Sequence, residues 1–294
     1  MPELPEVETT ARLIRPDLVG REVRAVGASW ERTLGPDGRA RAEALLVGRR
    51  CLAVERRAKY LLLGFGGPGE GAAVEAWWVV HLRMTGRLVH AAPGADPDPH
   101  RRAWLDLRER QGRRLVDAGR LDFVDPRKFG RCLATEDPAE VLPDLGPEPL
   151  GPDFTADVFR AGLRARRRQL KPLLLDQAFV AGLGNIYVDE ALFRARLHPL
   201  TSSDRVAPAK ARALHAAIRE VLAEAIEREG SSFDRFYRTP TGQPGSYQHQ
   251  FQVYGRQGQA CRACGATVRK LTVAQRGTHV CPRCQRTPRG AVRR

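Results

Sequence analysis

Four of the six cysteines form two Cys-x-x-Cys pairs, and this spacing constrains the fold more than any other feature of the sequence. Cys261 and Cys264 make the first pair, Cys281 and Cys284 the second, with sixteen residues between the pairs. Two such knuckles can place four thiolates tetrahedrally around one Zn²⁺. The alternative is two disulfides, which suit an oxidising compartment. Because the acidic, Pro-rich start of the chain does not match an export signal, we predict one structural zinc ion.

The segment between the knuckles alternates apolar and polar residues over 268–280. This alternation predicts a β-hairpin with Gln275, Arg276 and Gly277 at a basic, exposed tip. A bound metal can fold a short segment that lacks a core of its own. We therefore expect Arg276 to be the working residue of the hairpin, although such knuckles are also common in pure binding modules.

Composition points to a polyanionic partner. Lys and Arg number 49 against 34 Asp and Glu, a formal net charge of +15, and 42% of the residues are hydrophobic. Such a charge attracts nucleic acid or anionic lipid. The apolar content suffices for packed cores, yet no run approaches the roughly 18 apolar residues of a membrane-spanning helix. Disordered, collagen-like and bilayer-spanning chains are excluded, and the isolated Cys51 and Cys132 are interpreted as small buried hydrophobes.

The first half of the chain is predicted to be a helix followed by strands. A helix over 1–15 places Val7, Leu13 and Ile14 in the core. Short alternating runs separated by turn residues then indicate a β-sandwich. The predicted strands are Val19–Ser29, Cys51–Phe65, Ala73–Met84, Ala103–Arg108, Arg113–Asp117, Leu121–Val124 and Arg131–Ala134. A Pro- and Gly-rich stretch from 136 to 152 indicates a linker.

Helical patterns follow that linker. Val158, Phe159 and Leu163 fall on one predicted helix face, and 208–229 forms an amphipathic helix. Between them, the Gly-rich turn 181–187 leads into a helix N-terminus, where free backbone N–H groups favour a phosphate. A tight packing turn explains this segment equally well. The polar loop 233–250 is long enough to act as a lid.

The first residues carry a possible chemistry. If Met1 is removed, the chain begins with the secondary amine of Pro2, followed by the carboxylic acid of Glu3. An α-amino group titrates near ~7.7–8, well below a lysine near ~10.4, so more of it is neutral at pH 7. A neutral amine that attacks an aldehyde-level carbon gives an iminium, and a neighbouring carboxyl can move protons. The simpler interpretation is only the start of a helix.

Short motifs are distributed over nearly the whole chain. In order, they are Pro2–Thr9, Arg56–Leu63, His81–Arg87, Asp125–Gly130, Gly182–Tyr187, Val253–Arg256 and Gln275-Arg276 between the knuckles. Together they resemble the motifs of the formamidopyrimidine-DNA glycosylase family of bacterial DNA-repair enzymes. Leu4 favours this family over its endonuclease VIII relatives.

The resemblance implies an α+β fold: an N-terminal β-sandwich with an N-terminal helix, a helix–two-turns–helix domain and a C-terminal zinc-finger β-hairpin, with DNA in a basic cleft. The implied division is a catalytic domain over 1–135, a linker over 136–152, a DNA-binding domain over 153–232, a lesion-covering loop over 233–250, a zinc finger over 251–287 and a basic tail over 288–294. The zinc ligands are then Cys261, Cys264, Cys281 and Cys284.

The implied activity is base excision repair of oxidised purines, 8-oxoguanine and formamidopyrimidines, by a bifunctional glycosylase and abasic-site lyase. Pro2 matches the nucleophile that forms a Schiff base with C1′, and Glu3 its proton donor. Lys59 matches the lysine of β-elimination and Arg276 the arginine of δ-elimination. Without the family, Lys59 is equally a solvated charge at a strand edge.

The family also implies how double-stranded DNA is held. Met84, Arg127 and Phe129 match the residues that fill the void left by an extruded base, although Met84 and Phe129 alone resemble core residues. The implied DNA-binding set is Met84, His100, Arg127, Phe129, Arg166, Lys171 and Asn185. All of these except Met84 and Phe129 are implied to contact phosphates. The alignment near His100 is ambiguous, and a slip of two residues would give its phosphate contact to Arg102.

Two departures leave the lesion preference open. Arg83 stands where relatives often have Gly, and Arg238-Thr239-Pro240 differs from the expected covering loop. The alternatives are an endonuclease VIII-like glycosylase for oxidised pyrimidines and a non-catalytic lesion-binding protein. We expect a monomer in the bacterial cytoplasm, associated with the nucleoid, with a tail over 286–294 that DNA attracts non-specifically.

Overall fold

The computed structural model describes residues 2–288 apart from 37, 70 and 234–236. Met1, most of the predicted basic tail over 288–294, and residues 234–236 near the start of the predicted covering loop therefore lie outside the described residues. The chain divides into two compact units, one made of 1–143 with 229–246, the other of 144–228 with 247–294. The six-part domain division stays a prediction.

Helix α1 (Leu4–Leu18) packs its apolar stripe into the core of the first unit. Val7 and Ile14 are buried as predicted, whereas Leu13 is only half-buried. The helix begins later than predicted because Glu3 is its N-cap residue. Glu3 and Glu6 form a reciprocal capping box, in which each side chain accepts the other's backbone N–H.

Eight antiparallel strands form the sandwich. They are β1 (Glu22–Ala28), β2 (Arg50–Arg57), β3 (Tyr60–Gly66), β4 (Val74–His81), β5 (Arg87–Ala91), β6 (Arg101–Gln111), β7 (Arg114–Val124) and β8 (Arg131–Thr135). They are ordered β5-β7-β6-β1-β2-β3-β4-β8, and β1 pairs with β2 only at Glu22 and Arg50. This single pair joins two four-stranded halves, and one buried cluster draws on all eight strands. The predicted β-sandwich is confirmed.

The core of this unit also holds both isolated cysteines. Cys51 and Cys132 are fully buried, as predicted. Burial raises the pKa of Cys51 to about 12 and that of Cys132 well above its ordinary value, so both thiols stay protonated. They therefore act as apolar packing groups.

Several strand boundaries differ from the sequence prediction. The run 51–65 is two strands, because Ala58 adopts φ 53° in a tight turn for which the sequence offers no glycine. The runs 113–117 and 121–124 are one strand, β7. Strand β5 and helix α2 (Gly38–Leu46) were not predicted, since each buries too few side chains to give a clear period: α2 buries only Ala42 and Leu46.

The second unit combines helices with a hairpin. The helices are α3 (Ala156–Arg164), α4 (Leu170–Leu174), α5 (Asn185–Arg194) and α6 (Pro208–Glu227), and the hairpin is β9 (Arg269–Val273) with β10 (Arg276–Val280). Phe159 and Leu163 are buried, but the prediction for Val158 is wrong: it lies exposed, one residue off the buried face. Among the described residues, no helix is both long and apolar enough to cross a membrane.

Candidate active site and nucleic-acid interface

The predicted reactive residues precede the first turn of α1. Pro2 and Glu3 are both buried. The backbone N–H of Glu3 donates to Glu6 Oε2 at 2.8 Å, while the Glu3 carboxylate accepts the Glu6 N–H. The helix N-terminus carries a partial positive charge, which favours the neutral form of an amine placed there. The capping box therefore fixes Glu3 and sets the path of the chain at Pro2.

Glu6 is a functional candidate that the sequence reasoning missed. Its Oε1 accepts the N–H of Ser231 at 2.8 Å, and its backbone carbonyl accepts the Tyr237 hydroxyl at 3.3 Å. A Cβ at Gly230 would lie 2.8 Å from the Glu6 side chain, so this close approach requires glycine. The buried carboxylate thus ties the start of α1 to the segment that begins the predicted covering loop. The sequence signal that could have identified Glu6 is its spacing of three residues from Glu3, which is the spacing of a capping box.

Lys59 lies in the two-residue turn between β2 and β3 and is only 8% exposed. Arg56 connects this turn to α1, because its guanidinium pairs with Glu8 at 2.9 Å and donates to the Ala58 carbonyl at 3.1 Å. Burial alone would raise the pKa of Glu8, but hydrogen bonds from Arg12 and Arg56 outweigh burial and hold it below its ordinary value. A charged Glu8 on α1 therefore orients the turn that carries Lys59.

His81 lies beside this turn, where it pairs with Tyr60 across β3 and β4. Burial, followed by the charges of Arg83 and Lys59, lowers the pKa of His81 to about 3. Its Nδ1 accepts the backbone N–H of Arg83 at 2.9 Å. His81 is therefore a neutral acceptor at physiological pH and no competitor to Lys59 as a proton carrier.

The predicted void-filling residues project from two loops of the first unit. Met84 is 40% exposed and Phe129 48% exposed, so neither is a core residue. The guanidinium of Arg127 lies 4.9 Å from the centre of the Phe129 ring. Arg83 adopts φ 54° and Lys128 adopts φ 60°, a left-handed conformation that glycine adopts more readily than other residues.

The predicted phosphate contacts fall into two groups. His100 and Arg166 are exposed, as a phosphate contact requires. Arg102, the alternative to His100, is half-buried and donates through Nε to the Asp125 carbonyl at 2.9 Å. Arg166 donates to the Gly162 carbonyl and lies over the Phe179 ring.

Lys171 and Asn185 occupy a different environment. The Lys171 ammonium is fully buried, pairs with Asp189 at 2.6 Å and donates to the Gly277 carbonyl at 3.2 Å. Asn185 Nδ2 donates to the same carbonyl at 3.0 Å. Both side chains thus hold the residue that follows Arg276, and their contact with DNA stays a prediction.

Arg276 is exposed and begins strand β10. The turn is one residue earlier than predicted, at Ala274 and Gln275, which both adopt positive φ, as a two-residue hairpin turn requires. Asp189 accepts the N–H of His279 at 2.8 Å as well as the Lys171 ammonium. A buried carboxylate on α5 therefore anchors the hairpin.

The next residue of α5 holds the segment before the first knuckle. Glu190 is buried and accepts the backbone N–H groups of Gln252, Val253 and Tyr254 at 2.8–2.9 Å. Burial raises the pKa of Glu190 despite these hydrogen bonds. One carboxylate therefore fixes the backbone at the start of the Val253–Arg256 motif.

The knuckles fit a metal. The ligand atoms of Cys261, Cys264, Cys281 and Cys284 all lie within 4.8 Å of one another. Tetrahedral zinc with Zn–S bonds of about 2.3 Å needs sulfur atoms about 3.8 Å apart. The thiolate set suits structural zinc, which would hold the ends of the hairpin together.

Comparison with known proteins agrees with these features. The formamidopyrimidine-DNA glycosylase N-terminal domain matches 1–132, its H2TH domain matches 145–236, and a zinc finger found in FPG and IleRS matches 258–287. The formamidopyrimidine-DNA glycosylase of Thermus thermophilus is 46% identical over 97% of this chain and 98% of its own length.

Solved structures give the same result. The MutM (Fpg) protein of Thermus thermophilus superposes with a TM-score of 0.83 at 44% identity, covering 97% of this chain and 98% of that one. Lactococcus lactis Fpg, solved with N7-benzyl-Fapy-dG DNA, gives 0.84 at 36% identity, covering 97% and 100%. The same protein was also solved with DNA that contains an oxidised pyrimidine.

The chain belongs to the formamidopyrimidine-DNA glycosylase family, a class of DNA-repair enzymes. The resemblance, the fold class and the single structural zinc predicted from the sequence are thereby confirmed.

Proposed function

We propose that the chain is a bifunctional DNA glycosylase and abasic-site lyase that removes oxidised purines from double-stranded DNA. The observation that carries this proposal is the buried Pro2-Glu3 pair at the capped start of α1, in a chain related over its full length to formamidopyrimidine-DNA glycosylases. The related Lactococcus lactis protein forms a complex with DNA that contains N7-benzyl-Fapy-dG. The relatives named above are bacterial, and the enzyme works as a monomer at the bacterial nucleoid.

Catalysis begins once removal of Met1 frees the Pro2 nitrogen. The neutral amine attacks C1′ of the damaged nucleoside, and the bond from C1′ to the base breaks with proton transfer to the leaving base. Opening of the sugar, assisted by a proton from Glu3, gives the iminium. This iminium acidifies the C2′ proton, so that β-elimination with Lys59 releases the 3′-phosphate. Arg276 then assists δ-elimination of the 5′-phosphate.

The DNA is held by charge and by replacement of stacking. Extruding a base costs a few kcal/mol, and Met84 and Phe129 replace the lost stacking while Arg127 can hydrogen-bond the orphaned base. His100 and Arg166 neutralise phosphates, so binding should weaken steeply with added salt. The four zinc ligands maintain the hairpin that presents Arg276.

The test is cleavage of a duplex with 8-oxoguanine opposite cytosine, run with and without borohydride. The wild-type protein should cleave the strand, and borohydride should convert the Schiff base into a stable protein–DNA adduct. Glu3→Gln should lose most of the cleavage while still binding the duplex. Binding without any cleavage or adduct by the wild type would support the lesion-binding alternative instead.

A preference for oxidised pyrimidines is the second candidate, favoured by the complex of the Lactococcus lactis relative with such a lesion. Parallel assays on 8-oxoguanine and thymine-glycol duplexes rank the two. Faster excision of thymine glycol would reverse the assignment of the main substrate.

A further inference from the structure

The two void-filling loops converge on one buried side chain, Asp125. Its carboxylate is fully buried just after the end of β7. Oδ1 accepts the Thr85 hydroxyl and, at 3.2 Å, the backbone N–H of Arg127. Oδ2 accepts the backbone N–H of Gly130 at 2.8 Å. One carboxylate thus binds the residue after Met84 and both sides of Phe129.

The backbone of Asp125 extends this connection to the phosphate-contact segment. Its N–H donates to the His100 carbonyl at 2.9 Å, and its own carbonyl accepts Arg102 Nε at 2.9 Å. Every predicted DNA contact of the first unit is therefore within a few residues of a hydrogen bond to Asp125. The segments involved lie far apart in sequence, from 84 to 129.

Apolar packing supports the ends of the same two loops, where each loop joins the sandwich. Gly86 and Gly130, which end them, both approach the buried Phe123 ring, where an added Cβ would lie within 2.8 Å and 2.2 Å of the ring. The loop tips are less enclosed than these bases, since Met84 and Phe129 are exposed. Packing therefore fixes the bases of the loops, and the carboxylate is what fixes their spacing.

We propose that Asp125 is the positioning residue that pre-organises Met84, Arg127 and Phe129 for insertion into the duplex. This inference rests on the proposed function. Met84 and Phe129, which enter the same void in the duplex, must keep a fixed separation. Ordering the two loops only at the moment of base extrusion would cost binding free energy. A carboxylate with both oxygens engaged holds both loops in advance.

Asp125→Asn is the direct test because the side chains have the same shape. An amide has one acceptor oxygen, so it can satisfy either the Thr85 and Arg127 side or the Gly130 side, and its NH₂ group faces a donor on the other. We expect excision of 8-oxoguanine from duplex DNA to fall about 10- to 100-fold, the range for one buried hydrogen bond to a charged group. Cleavage of an abasic site in single-stranded DNA, which needs no void filled, should fall by less than about threefold.

Asp122→Asn is the matched control. Asp122 is buried on β7, three residues before Asp125, but it pairs with Arg101 and Arg120 rather than with the loops. It reports the cost of losing a buried carboxylate from β7, and its effects on duplex and single-stranded substrates should be equal. Thr85→Val should reproduce part of the loss of duplex excision seen in Asp125→Asn. Thr85→Ser should keep duplex excision near the wild-type rate, because only the hydroxyl is required.

A fluorescent 2-aminopurine beside the lesion gives a second measurement, since insertion of Met84 and Phe129 into the duplex changes its stacking. Asp125→Asn should lower the rate of this fluorescence change, while Asp122→Asn should leave the rate unchanged. Equal loss on both substrates in Asp125→Asn, or an unchanged insertion signal, would overturn the inference. A wild-type protein that cleaves neither substrate would instead overturn the proposed function.

Discussion

At the start of α1, Pro2 and Glu3 are buried and backbone hydrogen bonds to Glu6 fix their course, whereas Met84 and Phe129 project from the same unit into solvent. Reactive groups benefit from a fixed, desolvated position, because their pKa values and their orientation toward the substrate determine the reaction rate. Residues that replace a base must be apolar and accessible before DNA arrives. The two regions share one feature: a buried carboxylate, Glu6 or Asp125, accepts hydrogen bonds from two backbone N–H groups.

The largest effect should come from Glu6→Ala. It removes acceptors from Glu3 and Ser231 and leaves buried N–H groups without partners, which costs about 1–3 kcal/mol each. We expect at least a 100-fold loss of cleavage on duplex and single-stranded abasic substrates alike, measured by single-turnover kinetics. Glu43→Ala on α2 is the control, because it removes a half-buried carboxylate that pairs with Arg39 at the helix surface. A loss confined to duplex DNA would mean that Glu6 serves extrusion and not the chemistry.

Lys171→Met is the next largest. It leaves Asp189 as a buried charge without its lysine, which typically costs 3–5 kcal/mol, and removes one donor from the Gly277 carbonyl. Thermal unfolding should shift downward, and the ratio of δ- to β-elimination products should fall as Arg276 loses its fixed position.

The exposed Lys270→Met, on the same hairpin, provides the comparison. It makes the same change of charge on the surface and should keep both the stability and the product ratio. If the two variants weaken DNA binding equally and leave the product ratio intact, then Lys171 acts through charge alone.

Met84→Ala and Phe129→Ala should act on extrusion only. A stacking contact is worth about 1–3 kcal/mol per base, so each should slow duplex excision about 10- to 100-fold. Cleavage of single-stranded abasic DNA should stay within twofold of wild type. Val158→Ala, an exposed apolar residue of α3, controls for loss of surface area. An equal loss on both substrates would mean that Met84 and Phe129 do not act on base extrusion alone.

The smallest effect concerns His81 and pH. Its folded pKa of about 3 is below the ordinary value of 6.5, so the unfolded chain binds the proton more readily between those pH values. The free energy of unfolding should therefore fall as pH drops below 6.5, by at most about 1.4 kcal/mol per pH unit. His81→Gln should flatten that dependence in denaturant titrations at pH 5 and 7. An identical slope would place the acid-sensitive group elsewhere.

Local patterns made much of this structure predictable. The knuckle spacing identified the metal site, alternation identified the sandwich, and the order Pro2-Glu3 suggested an amine nucleophile before any family was considered. The turn at Ala58 escaped prediction because a left-handed alanine leaves no trace in the sequence.

Long-range contacts set the limit of such prediction. Glu6 meets Ser231 across 225 positions, and Lys171, at the end of a basic run, gives no sign that it is buried against Gly277. Asp125 lies within a recognisable motif, yet its partner Thr85 is 40 positions away. Supporting residues of this kind are defined by tertiary contacts, whereas the residues they support carry the visible motif.

The proposed chemistry depends most on the identity of the nucleophile. Borohydride trapping on an 8-oxoguanine duplex, followed by digestion and fragment mass spectrometry of the adduct, locates the modified nitrogen directly. We predict a chain that lacks Met1 and carries the reduced sugar on the nitrogen of Pro2. An adduct on Lys59, or efficient trapping by a chain that retains Met1, would contradict this account.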